Sequence, residues 1–185
     1  HNDLIAKPVV LAKSKTIQES LENKKKFINK LKTFDQNYLV KLRNQDDPLL
    51  KKVFIFFDKL NFTDEDILLE IKEDFAESKI ISIDTDNESE KNQVLINNLE
   101  QSNNPIRLVF AVNKLNEGWD VLNLFDIVRL YDTRDTGKNK KAGKTTIQEA
   151  QLIGRGSRYF PFKYKNEDKY KRKFESSDFV YFDEC

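Results

Sequence analysis

One short stretch of this sequence places a glutamine and two arginines at spacings that would align them on a helix. Gln151, Arg155 and Arg158 would share one helical face, because they stand four and then three positions apart. Thr146 and Glu149 form a capping-box pattern, which predicts a helix beginning directly after Thr146. The planar guanidinium of arginine binds phosphate oxygens with two parallel hydrogen bonds and stays charged at working pH. The stretch therefore predicts an anion-binding site.

A second candidate segment, Lys13-Ser14-Lys15, follows the apolar run 9–12 and opens a helical pattern. Backbone N–H groups at a helix start, together with hydroxyls and ammonium groups, are what a phosphodiester backbone needs. The motif is weak by itself, because many helices begin with similar capping residues. It predicts a contact with nucleic acid only in combination with other motifs.

A third segment, residues 113–120, follows the apolar run 107–112 and begins with Asn113. Gly118 would let the backbone approach a ligand closely, and Asp120 offers a carboxylate for sugar hydroxyls. A plain turn with a surface aspartate explains the same residues, and the segment alone does not separate these two interpretations.

The elements that must position these residues alternate between strands and helices along the whole chain. Strands are predicted over 9–12, 79–84, 107–112, 126–131 and 179–182. Helices are predicted over 17–34, over 48–75 with a break at 61–64 and a second helix start at Thr63, over 89–101, and from 147. The apolar run 53–57 could instead be a buried strand. Continuously apolar strands separated by helices indicate an α/β fold with a mainly parallel sheet and helices on both faces. We expect residues 1–185 to form a single domain.

Charge is distributed unevenly along the sequence, although the net charge is only +1. Residues 138–173 contain twelve basic and three acidic residues, whereas residues 58–90 contain twelve acidic residues and three lysines. The basic half also carries aromatic residues, a combination expected of a nucleic-acid surface. The acidic half is interpreted as solvated surface.

The sequence argues against several classes of protein. The single cysteine, Cys185, cannot form a disulfide within the chain, which favours a cytoplasmic protein, and no apolar run is long enough to cross a membrane. Gly143-Lys144-Thr145 lacks the earlier glycine of a phosphate-binding P-loop, and the nuclease-like pair Glu70 and Lys72 stands in an amphipathic helical pattern. No metal site is predicted. The sequence contains no methionine, so we expect a fragment of a longer polypeptide.

Together the three segments resemble the second RecA-like domain of superfamily 2 helicases. Gln151-x-x-Gly154-Arg155-x-x-Arg158 matches motif VI of that family, and Gly118-Trp119-Asp120 matches motif V. The longer strings 115–130 and 149–162 resemble the restriction (Res) subunit of type III restriction–modification enzymes. Residues 11–17 resemble the motif IV region of that subunit less specifically. The resemblance covers most of the chain, but residues 35–78 add little to it.

The resemblance implies a three-layer RecA-like fold and a site split between two domains. ATP and Mg²⁺ would be held mainly by a first RecA-like domain that precedes this region, and Arg155 and Arg158 would act as arginine fingers on the γ-phosphate. Gln151 would orient the arginines or contact phosphate. ATP would also be contacted by Gly118, Asp120 and Gly154, and the DNA backbone by Lys13, Ser14, Lys15 and Asn113.

The same resemblance implies DNA and a modification (methyltransferase) subunit as partners in an ATP-dependent restriction endonuclease. It implies that this chain alone binds no cofactor and is inactive. Two alternatives to this restriction function remain. One is a superfamily 2 helicase or translocase without a restriction role, and the other is a non-enzymatic module that binds nucleic acid through its basic half.

Overall fold

The described residues are built around a four-stranded parallel sheet. The computed structural model describes residues 8–83, 90–101, 103–112 and 124–131. Neighbouring strands pair in the order β2-β3-β1-β4, and every pairing is parallel. The strands are β1 (Val9–Lys13), β2 (Ile80–Ser82), β3 (Leu108–Ala111) and β4 (Leu124–Arg129). These four strands confirm the predicted α/β fold, whereas the strand predicted at 179–182 lies outside the described residues.

Helices cover both faces of this sheet. Side chains alternate between the two faces along a strand, so Leu11 and Ala12 of β1 enter different apolar clusters. Leu11 packs in the cluster that contains Ile96, which lies on one face of the sheet. Ala12 lies in the cluster that includes Phe110 and, at its margin, Phe27. The predicted three-layer arrangement is therefore present in the described part of the chain.

Five α-helices are described, and four of them follow from the sequence pattern. They are α1 (Ile17–Lys32), α2 (Gln36–Arg43), α3 (Pro48–Lys59), α4 (Asp64–Asp74) and α5 (Glu90–Asn97). The short helix α2 was not predicted. Residues 53–57 lie within α3, which decides between the helix and the strand for this run. Only Phe54 of that run is buried, as expected when one face of a helix packs inward.

Helices α2, α3 and α4 form a helical insert between the first two strands of the sequence. A small apolar cluster in this insert contains one buried residue from each helix: Leu39, Phe54 and Ile67. The Arg43 guanidinium binds both oxygens of Asp58 at 3.0 and 3.2 Å and Oδ1 of Asp64 at 2.8 Å. These hydrogen bonds raise the pKa of Arg43 above its usual value. A single side chain therefore connects all three helices.

We expect Arg43→Lys to lower the free energy of unfolding by about 1–3 kcal/mol, because an ammonium cannot bind two carboxylates in the same fork geometry. Urea unfolding of the variant would measure the loss. Lys51→Ala is the matched control, since the carboxylate of its partner Asp46 is 98% exposed. That control should change stability by less than about 1 kcal/mol. Equal losses in the two variants would contradict the role assigned to Arg43.

A second ionic contact joins the end of the insert to the sheet. The Arg107 guanidinium lies 2.6 Å from Oδ2 of Asp74, and the Lys79 ammonium lies 3.8 Å from Oδ1 of the same carboxylate. The backbone N–H of Arg107 also donates to the carbonyl of Lys79 at 2.9 Å. Asp74 is the last residue of α4, and Arg107 directly precedes β3. The insert is thus held against the strand edge at which β2 and β3 begin.

Candidate functional site

The segment Lys13-Ser14-Lys15 lies at the centre of the carboxyl edge of the sheet. Strand β1 pairs with β3 on one side and β4 on the other, and Lys13 is in register with Ala111 and Arg129. In open parallel sheets, ligands bind beyond the carboxyl ends of the strands. The structure therefore places the segment at the edge where ligands bind in open parallel sheets, and its predicted contact with nucleic acid stays a prediction.

Lys13 is held within the sheet rather than on its surface. It is the last residue of β1, its carbonyl accepts the Leu130 N–H at 2.8 Å, and the residue is only 4% exposed. The alternation along β1 puts its side chain on the same face as Leu11. A direct contact between its ammonium and nucleic acid would need an outward movement of the side chain.

Ser14 is also buried, at 1% exposure, and is fixed by two hydrogen bonds. Its backbone N–H donates to the carbonyl of Ala111 at 2.9 Å. Its Oγ accepts a hydrogen bond from Nδ2 of Asn23 at 3.1 Å. Asn23 lies in α1, nine positions further along the chain, and no spacing rule pointed to it. The side chain of Asn23 therefore sets the position of the turn between β1 and α1.

The start of α1 is occupied by the protein's own carboxylate. Oε2 of Glu19 accepts hydrogen bonds from the backbone N–H groups of Lys15 and Thr16, each at 3.2 Å. The N–H of Glu19 donates in return to Oγ1 of Thr16, which completes a capping box. From the sequence, the backbone N–H groups at this helix start were expected to bind a phosphate. In the structure, a phosphate would have to displace Glu19 from two of them.

Lys15 is the exposed member of the segment. Its ammonium can reach a ligand in solvent without any change in the sheet or in the helix cap. Among Lys13, Ser14 and Lys15, the geometry therefore favours Lys15 for direct contact with an anion. The other two residues hold the turn that carries it.

The remaining predicted site residues lie outside the described residues. They are Asn113, Gly118, Asp120, Gln151, Gly154, Arg155 and Arg158. Val112, the residue that precedes Asn113, is described and directly follows β3, whose last residue Ala111 pairs with Lys13 of β1. Across the part of the chain that is described, no cluster of three or more His, Cys, Asp or Glu side chains could hold a metal ion. None of the described helices is long and apolar enough to span a membrane.

Comparison with known proteins finds a curated relative from Haemophilus influenzae, described as a probable type III restriction-modification enzyme HindVIP Res subunit. The two sequences are 36% identical over 163 residues, which cover 75% of this chain and 31% of the relative. The chain thus spans about a third of the length of that protein.

Two further matches are shorter. A second Haemophilus influenzae protein, described only as uncharacterized, is 49% identical over 39 residues, or 21% of this chain and 8% of that protein. A family model named HI_1054_N, described as an N-terminal region, matches residues 145–180. No solved structure matches the chain significantly. Over three quarters of its length, this chain is similar to part of a type III restriction-modification Res subunit.

Proposed function

We propose that this chain is the second RecA-like motor domain of a type III restriction enzyme Res subunit. The observation that carries the proposal is the 36% identity to a Res subunit over 75% of the chain. The parallel sheet with helices on both faces supports it, because that architecture is the one a RecA-like domain requires. In the whole enzyme the domain would serve ATP-dependent translocation and cleavage of DNA, together with a modification subunit.

In this proposal the ATP site is completed from two domains. Arg155 and Arg158 supply guanidinium groups that stabilise charge on the γ-phosphate as the phosphoryl group is transferred. Gln151 orients them or contacts phosphate, and Gly118, Asp120 and Gly154 contribute to nucleotide binding. These roles are assigned from the resemblance of residues 118–120 and 151–158 to motifs V and VI of superfamily 2 helicases. ATP and Mg²⁺ are held mainly by a first RecA-like domain.

The same proposal assigns the DNA backbone to the carboxyl edge of the sheet. Lys15 is exposed there, and Asn113 follows directly after Val112 at the end of the adjacent strand. Lys13 and Ser14 lie beneath, fixed by the neighbouring strands and by Asn23. Contacts of this kind position a protein on DNA without reading its sequence.

We expect Lys15→Gln to weaken DNA binding about equally on different sequences, and to reduce the slope of log K against log salt by about 1. Titration of fluorescent duplexes at several salt concentrations would measure both quantities. Lys59→Gln, which changes the charge equally on an exposed position of α3, is the matched control. An unchanged slope for Lys15→Gln, or the same change for Lys59→Gln, would remove Lys15 from the DNA contact.

A further inference from the structure

A second concentration of positive charge lies along α1 and α2, in a region for which the motifs assign no role. Residues 24–41 contain six lysines and one acidic residue, Asp35. Five of these lysines are exposed, and we call them the basic surface: Lys25, Lys26, Lys30, Lys32 and Lys41. The sixth, Lys24, is partly buried; burial lowers its pKa, and the nearby carboxylate of Glu77 partly offsets that effect. Lys24 is therefore not counted in the surface.

In the described part of the chain, the lysines of the basic surface lack the close carboxylate partners that four other cations of the fold have. Arg43, Lys51, Lys79 and Arg107 each lie within 4.0 Å of a carboxylate. Within the described ranges, none of the lysines of the basic surface has a carboxylate that close. Asp35 instead caps α2, where it accepts the Tyr38 N–H. Within the described residues, no close ion pair therefore neutralises the charge of this surface.

An aromatic ring brings lysines from both helices together. The Lys30 ammonium lies 4.2 Å and the Lys41 ammonium 5.3 Å from the centre of the Tyr38 ring. Lys30 also donates to the Tyr38 hydroxyl. Phe34 stacks on the same ring, with centroids 5.5 Å apart and planes inclined by 19°. Because the ring is already engaged by Phe34 and by two ammonium groups, it is a poor platform for stacking a base.

Helix dipoles explain only part of this arrangement. Lys30 and Lys32 lie in the last turn of α1, and Lys41 lies in the last turn of α2, where positive charge stabilises a helix. Lys25 and Lys26 lie in the middle of α1, beyond the reach of that effect. Contact with a polyanion would explain the mid-helix lysines as well as those at the helix ends.

We propose that the basic surface is a second contact for the phosphodiester backbone of the nucleic acid assigned to this domain. The inference rests on the proposed function for the identity of that ligand. Helix α1 has 16 residues and is about 24 Å long, with Lys15 just before one end and Lys30 close to the other. That length matches about seven nucleotides along a strand of duplex DNA, at roughly 3.4 Å each. A small anion cannot reach both ends, whereas a nucleic acid can.

The chemistry of the surface favours nucleic acid over an acidic protein. Lysine is depleted in protein–protein interfaces, where exposed aromatic residues are enriched, and is a common partner of phosphates. The surface is rich in lysine, and its aromatic ring is occupied by neighbours. Because this ring is not free to stack on a base, we expect the basic surface to bind the phosphodiester backbone independently of base sequence.

The test compares two triple variants of this chain that lose the same charge. One carries Lys26→Gln, Lys30→Gln and Lys41→Gln in the basic surface. The control carries Lys52→Gln, Lys59→Gln and Lys72→Gln, which change exposed lysines of α3 and α4. Affinity for a duplex of arbitrary sequence is measured over a range of salt concentrations. The basic-surface variant should reduce the salt slope by about 2–3, and the control by less than about 1.

A third variant separates charge from folding. Arginine at positions 26, 30 and 41 keeps the charge, so it should retain the affinity that the glutamine variant loses. Equal losses in the two glutamine triples, or an unchanged slope in the basic-surface variant, would overturn the inference. Loss of assembly with the modification subunit, with DNA affinity intact, would also overturn it and assign the surface to a protein.

The outcome is separable from that of the proposed motor function. If the basic-surface variant loses DNA affinity while Arg155→Ala leaves ATP hydrolysis by the longer polypeptide intact, the inference stands and the arginine-finger proposal fails. If Arg155→Ala abolishes hydrolysis while the basic-surface variant binds DNA normally, the motor proposal stands and the second contact does not exist.

Discussion

Under the proposed function, replacing Arg155 or Arg158 by alanine is expected to slow ATP hydrolysis by the whole Res subunit on the order of 10³-fold or more. Negative charge spreads over the phosphoryl oxygens in the transition state, and a guanidinium positioned beside them lowers the barrier. The effect should fall mainly on kcat, because in the proposed split site most contacts with ground-state ATP would come from the other motor domain. Steady-state hydrolysis with saturating DNA and Mg²⁺ measures it.

Arg158→Lys provides the conservative comparison for this experiment. It keeps the positive charge but loses the planar fork, so it should recover only part of the lost rate. DNA affinity without nucleotide should stay close to that of the wild type in all three variants if the arginines act on ATP. A large loss of DNA affinity with normal kcat would reassign these arginines to the phosphodiester backbone.

The second large effect is expected in the core beneath the site. Phe110 is 2% exposed in β3, and its ring meets that of Phe27 edge-on at 6.2 Å. Phe110→Ala removes a large buried side chain at the contact between α1 and the sheet, so it should cost about 3–5 kcal/mol of unfolding free energy. Chemical denaturation measured by the loss of circular dichroism would determine this cost.

Phe56→Ala is the matched control for that substitution. Phe56 is 48% exposed on α3, so its truncation should cost about 1 kcal/mol or less. A cost for Phe110→Ala no larger than that of the control would contradict the packing of α1 on the sheet. Since β3 leads directly into Val112 and Asn113, we also expect the Phe110 variant to lose DNA affinity as the edge loosens.

The parallel sheet could be predicted because its central strands, β1 and β3, are short and almost wholly apolar. Leu108 to Ala111 are all buried, and this makes their sequence run continuous rather than alternating. The same property made residues 53–57 ambiguous, since an apolar run in a helix and one in a strand look alike without their neighbours. Asp47 at the N-cap and Pro48 at the first turn were the signals in favour of the helix.

Helix α2 was missed because it is short and carries little periodic signal. Only Leu39 of its eight residues is buried, so tertiary packing against Phe54 and Ile67 stabilises it more than its own pattern does. The insert depends on Arg43, whose two carboxylate partners lie 15 and 21 positions away. No local spacing rule can find contacts of that kind.

At the site, the position of Lys13-Ser14-Lys15 was predictable, but the environment of each side chain was not. The order of strands in the sheet decides that Lys13 and Ser14 are buried while Lys15 is exposed. Thr16 and Glu19 have the spacing of a capping box, so the occupation of the helix start could have been read from the sequence. The bond from Asn23 to Ser14 had no such signal.

The most direct test of the split ATP site is hydrolysis by this chain alone and after addition of the first motor domain. The proposal predicts no turnover by the 185-residue chain and DNA-dependent turnover in the mixture, which Arg155→Ala removes. Turnover by the isolated chain that disappears in the Arg155→Ala variant would contradict it, because the whole catalytic site would then lie within these residues.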